Sequence, residues 1–130
     1  MLNVSRIEGI VKILVVDDIE DLAWSLKMVL ELNGHDVDTA GDGQQAISAA
    51  LRRVPDVILM DLSMPIMDGF RATRALRELP ETCDVPVVAL SGYIGVQDWS
   101  NRALEAGCTA CLAKPVDLDL LIALLGRLSP

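Results

Sequence analysis

Asp17, Asp18 and Asp61 are carboxylates that follow short apolar runs, at 12–16 and 57–60. Ser91 follows a third such run, at 86–90, and Lys114 a fourth, at 108–113. Three carboxylates brought together repel one another unless a cation joins them. Hard oxygen ligands with room for water suit Mg²⁺. A divalent ion and the Lys114 ammonium would together balance the three negative charges. A carboxylate oxygen flanked by cations is poised to attack phosphorus, and aspartate is a covalent phosphoryl acceptor. Phosphoryl transfer asks of a protein mainly positioning and positive charge around the equatorial oxygens. Ser91, with neighbouring backbone N–H groups, would hydrogen-bond the transferred group. Taken singly, these residues read as ordinary ones: Asp17-Asp18 as a loop that caps a helix, Asp61 as a solvated strand end, Ser91-Gly92 as a turn, Lys114 as a solvated loop lysine. Their shared place at strand ends is what carries the argument.

The elements that must position them alternate. Apolar runs at 12–16, 57–60, 86–90 and 108–113 read as strands buried on both faces. Residues 35–40, HDVDTA, alternate in polarity and suit an edge strand. Helical spacing follows each run. Residues 20–33 place Leu22, Leu26, Val29 and Leu30 on one face, and Gly34 ends that helix as a C′ residue. A second helix is expected over 44–53, closed by Pro55. A third runs from Asp68, its cap, to about Leu79. The fourth spans 96–106 and ends at Gly107; the last is capped by Asp117 and reaches about Leu128. Five strands alternating with five helices argue a doubly wound α/β fold with a parallel sheet and helices on both faces. The flavodoxin-like strand order 2-1-3-4-5 puts its switch point between strands 1 and 3, where Asp17, Asp18 and Asp61 lie.

Composition bounds the rest. The chain has 130 residues, enough for one domain with a real core, and 52% of them are hydrophobic. No run approaches the ~18 apolar residues of a membrane span, and residues 1–9 have no apolar signal region, so a cytoplasmic protein is expected. A net charge of −8 argues against nucleic acid and anionic lipid as partners. Cys108 and Cys111 have CxxC spacing, but in a strand residues three apart point to opposite faces. With His35 the only histidine, no zinc set is available, and all three cysteines are expected as reduced thiols. Glu20 and Asp21 favour the first helix's dipole. Arg71, Arg74 and Arg77 are expected to form a solvated face of the third helix.

In their order along the chain, VVDD ending at Asp18, DLSMPIMDG from Asp61, Ser91, and Lys114-Pro115 resemble the receiver domain of bacterial response regulators. The resemblance covers nearly the whole chain. It implies a receiver over 11–130 behind an N-terminal extension at 1–10. It implies that Asp61 accepts the phosphoryl group and that Asp17 and Asp18 arrange Mg²⁺ with Asp61 and the backbone carbonyl of Ser63. Lys114 would pair with the phosphoryl group, Ser91 would swing toward it, and the Lys114-Pro115 bond would be cis. The implied partner is a histidine kinase or histidine phosphotransfer domain. The implied function is a phosphorylation-dependent switch that catalyses only its own phosphorylation and dephosphorylation. A pseudo-receiver adaptor that is never phosphorylated is the alternative; an aspartate-nucleophile phosphatase would want a DxDxT pattern, which Asp17-Asp18-Ile19 does not supply.

One position departs from the family. Receivers usually carry Tyr or Phe three residues before the lysine, and here that residue is Cys111. Tyr93, in the loop after Ser91, is the aromatic expected to act instead. The last helix shows an inward face, Leu118, Leu121, Ile122 and Leu125, and a second apolar stripe, Leu120, Leu124 and Leu128. The family's surface of fourth helix, fifth strand and last helix suggests a homodimer or target contact there, with Trp99 joining it.

Overall fold

The four apolar runs and the alternating segment become one sheet. The computed structural model describes residues 11–62, 68–92 and 97–128, with the backbone alone at 97–100. The strands are β1 (Lys12–Val16), β2 (Asp36–Ala40), β3 (Val57–Asp61), β4 (Val87–Ser91) and β5 (Ala110–Ala113). Between and after them run α1 (Glu20–Leu32), α2 (Gly43–Arg52), α3 (Gly69–Glu78), α4 (Gln97–Ala106) and α5 (Leu118–Leu128). All strand pairs are parallel and the order is β2-β1-β3-β4-β5, as expected. No helix among the described residues is long and apolar enough to cross a membrane.

β3 and β4 lie inside the sheet, and every residue of both is buried. This is why their sequences run apolar without alternation. Side chains leave the sheet on alternate sides, so it divides the core in two. Leu14, Val16, Ile58, Met60, Val87 and Ala89 pack under α2, α3 and α4. Ile13, Val15, Leu59, Val88 and Leu90 pack under α1 and α5. α2 and α3 start at side-chain caps. Asp42 accepts from the Gln45 N–H at 2.8 Å and Asp68 from the Arg71 N–H at 2.9 Å. Gly34, with φ 91°, closes α1.

Several expectations need correction. The inward face of α1 is Ala23, Leu26 and Leu30, while Leu22 is 49% exposed. Leu22, Leu26 and Val29 instead line an open apolar groove of about 540 Å³, whose far wall is Leu90, Val116 and Leu118. On α5, Leu121 and Leu125 are buried and Leu124 and Leu128 pack beside them, leaving Leu120 outside at 51%. The supposed second stripe is therefore mostly core. β5 begins at Ala110, so Cys108 precedes it, and both Cys108 and Cys111 lean on the same cluster under α2–α4. All three cysteines are free thiols. Burial pushes the Cys108 thiol up, and the hydrogen bond with Thr73 opposes it only in part.

Arg77 is the clearest miss. It does not share the solvated face of Arg71 and Arg74. Its Nε donates to the Gly107 carbonyl at 3.0 Å. Its Nη1 faces the carbonyls of Val85, Thr82 and Cys83 at 2.7, 3.2 and 3.2 Å. Helical periodicity puts Arg77 on the polar side of α3, but the loop after α3 folds back to cover it.

Candidate functional site

Parallel strands deliver their C-terminal ends to one rim, and register decides which residues meet there. Val16 of β1 pairs with Met60 of β3, so Asp17 and Asp61 extend from the same level of neighbouring strands. Asp61 stands opposite Leu90, and Ser91 opposite Ala113, one step before Lys114. The Lys114 N–H donates to the Ser91 carbonyl at 3.0 Å, which continues the β4–β5 ladder up to the lysine. The Lys114-Pro115 bond is cis.

One carboxylate oxygen from each of Asp17, Asp18 and Asp61 falls within 4.8 Å of the others. Asp17 and Asp61 are buried and Asp18 is exposed, so the trio opens to solvent on one side. Asp17 is held from two directions. Its Oδ1 accepts from the Ile19 N–H at 2.9 Å, and its backbone N–H donates to the Ala40 carbonyl at 3.1 Å. The ammonium of Lys114 lies 3.3 Å from Asp17 Oδ2 and 3.3 Å from Asp61 Oδ1. Burial by itself would lower the Lys114 pKa. The Asp61 and Asp17 carboxylates outweigh that effect, and the pKa is raised. Lys114 therefore stays an ammonium. It still leaves the trio with excess negative charge, which a divalent cation with oxygen ligands would neutralise. Ser91, 2% exposed, ends β4 beside this cluster. Ser63 and Tyr93 lie outside the described residues, as does the side chain of Trp99.

Gly69 was not singled out as a site residue in the sequence. It opens α3 against the end of β3, and its N–H points at the Leu62 carbonyl at 3.4 Å. The Asp-Gly pair at 68–69 signals a helix start, but nothing local shows what the glycine faces.

A doubly wound parallel sheet carrying an acidic trio and a lysine at its switch point defines a narrow class of proteins. The profile described as "Response regulator receiver domain" matches residues 13–126, and the chain belongs to that family. It is 42% identical over 112 residues to the response regulator PleD of Caulobacter vibrioides, covering 86% of this chain and 24% of PleD. It is 37% identical over 113 residues to protein PilH of Pseudomonas aeruginosa, covering 85% of this chain and 91% of PilH. Among solved structures it resembles the receiver domain of sensor histidine kinase PA1611 from P. aeruginosa, with TM-score 0.83 and 34% identity, covering 91% and 96% of the two chains. That structure is described as having a magnesium ion coordinated in the active-site cleft. The chain thus spans about a quarter of PleD and nearly all of PilH. It is a receiver domain of the two-component response-regulator family, a signalling module more than an enzyme in the usual sense.

Proposed function

We propose that this chain is a phosphorylation-dependent switch in which Asp61 accepts a phosphoryl group from a phosphohistidine donor. The carrying observation is the convergence of Asp17, Asp18 and Asp61 within 4.8 Å at the switch point of the sheet, with Lys114 bridging two of them. Asp17, Asp18, Asp61 and the carbonyl of Ser63 would hold Mg²⁺, a reading supported by the magnesium ion described in the active-site cleft of the PA1611 receiver. When bound, the ion neutralises charge on the phosphoryl oxygens and on the carboxylates. An Asp61 oxygen attacks phosphorus, the P–N bond to the donor imidazole breaks, and the nitrogen leaves with its electron pair and takes a proton. Lys114 moves its ion pair from the bare carboxylate to the new acyl phosphate. The Ser91 hydroxyl donates to a phosphoryl oxygen, drawing the end of β4 toward Asp61. The donor is a histidine kinase or a histidine phosphotransfer domain. The protein catalyses its own phosphorylation and slow hydrolysis, and the change alters its affinity for a partner protein.

The test is treatment with a small acyl-phosphate donor and Mg²⁺, read by intact mass. One phosphoryl increment is expected, dependent on Mg²⁺ and lost in Asp61→Asn. A chain that takes no phosphoryl group under these conditions is instead an adaptor with a receiver fold.

A further inference from the structure

We infer that Gly69 is a positioning residue for the phosphoryl acceptor. This rests on the reading of Asp61 as that acceptor. The backbone of Gly69 does not require glycine, since its φ lies outside the left-handed region. What requires it is contact. A Cβ at position 69 would lie 2.3 Å from the backbone oxygen of Asp61, 2.9 Å from the Leu62 Cα and 3.0 Å from the Asp61 carbonyl carbon. All three are main-chain atoms, so no side-chain rotation relieves them. The first turn of α3 therefore rests directly on the peptide that carries the acceptor.

The helix side of this contact is braced. The Thr73 hydroxyl, fully buried, donates to the Gly69 carbonyl at 2.7 Å and lies 3.8 Å from Cys108 Sγ. Phe70, the next residue, is 2% exposed, and the Arg102 guanidinium of α4 sits 4.4 Å from its ring centroid. The Asp68 cap fixes the same turn from outside. The strand side is the C-terminal end of β3, where the ladder reaches one residue further through the Leu62–Leu90 hydrogen bond of 3.2 Å. An added methyl group needs roughly 1 Å of extra room to reach ordinary van der Waals contact. With the helix braced, the strand takes at least part of the shift. That part falls on Asp61, whose carboxylate must keep its place beside Lys114 and the other two aspartates. Displacement of a reacting group by about 1 Å costs on the order of 100-fold in rate.

The experiment compares Gly69→Ala with Gly107→Ala and Gly126→Ala by phosphorylation from an acyl-phosphate donor at saturating Mg²⁺, at a temperature where circular dichroism shows each chain folded. Gly107 (φ 111°) meets Arg77 Cγ at 2.8 Å when a Cβ is added, so its variant loses stability at the opposite edge of the sheet. A Cβ added at Gly126 meets nothing within 4 Å. The maximal phosphorylation rate should fall about 100-fold in Gly69→Ala alone. Its Mg²⁺ affinity, read by calorimetry, should change less than the rate does. A Gly69→Ala rate within about threefold of the Gly107→Ala rate overturns the proposal. If Gly69→Ala does not fold in buffer, the comparison is repeated in a stabilising osmolyte that restores the circular dichroism of both glycine variants. The Gly69→Ala rate must then stay at least about tenfold below the Gly107→Ala rate, and equal rates overturn the proposal. A parent chain that is not phosphorylated overturns the acceptor reading itself and this inference with it.

Discussion

Replacing Arg77 with methionine removes a charged clamp while keeping most of the stem's packing. The guanidinium ties the turn at Thr82–Val85, after α3, to Gly107, after α4. Nε makes one bond, and the two hydrogens of Nη1 are shared among three carbonyls, so the clamp amounts to about three hydrogen bonds with a charged donor. Such bonds are worth about 1.5 kcal/mol or more each, net. The site is only half-buried and water can replace part of what is lost, which brings the expected cost to about 2–4 kcal/mol. For a domain of this size that is a fall in Tm of roughly 6–14 °C. Urea and thermal unfolding followed by circular dichroism measure it. Arg74→Met, on the exposed neighbouring position, should stay within about 0.5 kcal/mol of the parent. The geometry adds a stricter requirement. Gly107→Ala places its Cβ 2.8 Å from Arg77 Cγ, so truncation to Arg77→Ala should relieve part of that cost. A double-mutant cycle should give a coupling of about 1 kcal/mol or more. Arg77→Met costing under about 1 kcal/mol, with Arg77 and Gly107 additive, would refute the clamp.

Other expectations follow from single contacts. His35 Nδ1 accepts the Val11 N–H at 3.1 Å and burial lowers its pKa, so the neutral ring is the folded form. Its contribution is complete above the ordinary histidine pKa of about 6.5 and is lost as pH falls below it; unfolding at pH 7.5 and 5.5 should show a slope that His35→Gln flattens. Lys114→Arg should bind Mg²⁺ but lose the phosphorylation-driven change, because a planar fork cannot replace a compact ammonium between two carboxylates at 3.3 Å each. A partner-binding or sedimentation response equal to the parent's would contradict this. Leu120→Glu should fold normally and abolish self-association or target docking that Asp61 phosphorylation strengthens. Leu124→Glu, packed against the core, should instead cost roughly 2 kcal/mol in urea unfolding; a Leu120→Glu chain that still associates places the contact elsewhere.

Strand ends were the most legible part of the chain. A polar residue is costly in the middle of a buried parallel strand, so Asp17, Asp61, Ser91 and Lys114 each mark where an apolar run stops. Once the strand order is known, that marking is nearly a site map. Helix faces were less legible, because periodicity says which residues are apolar and not what lies opposite. Leu22 has the right spacing for the core, yet it overlooks a groove because α5 stands away from α1 there. Leu124 has the spacing of an outer stripe, yet it packs against the core cluster that holds Leu121 and Leu125. Arg77 and Gly69 were illegible for one shared reason. Their partners are main-chain atoms outside their own helix, and main-chain atoms leave no trace in residue type.

The two edges of the sheet use polar side chains in opposite ways. At the N-terminal edge, polar groups are matched with backbone. Asp56 accepts the Lys12 N–H at 2.8 Å, Thr109 the Val87 N–H at 3.2 Å, and Arg77 spans four carbonyls. Such bonds seal loops and gather no cluster of like charge. At the C-terminal edge the match is between side chains of one sign and a single lysine, from separate strands. The Asp17–Lys114–Asp61 arrangement is part-balanced by construction, and a further cation completes it. Among the described residues, acidic groups elsewhere lack this property. Asp36 and Asp38 of β2 meet Arg53 on an exposed face, where pairing costs little to break and binds nothing. What separates the candidate site from the other acidic groups is therefore not charge alone. It is charge that the fold gathers, buries on two of three members, and leaves incompletely neutralised.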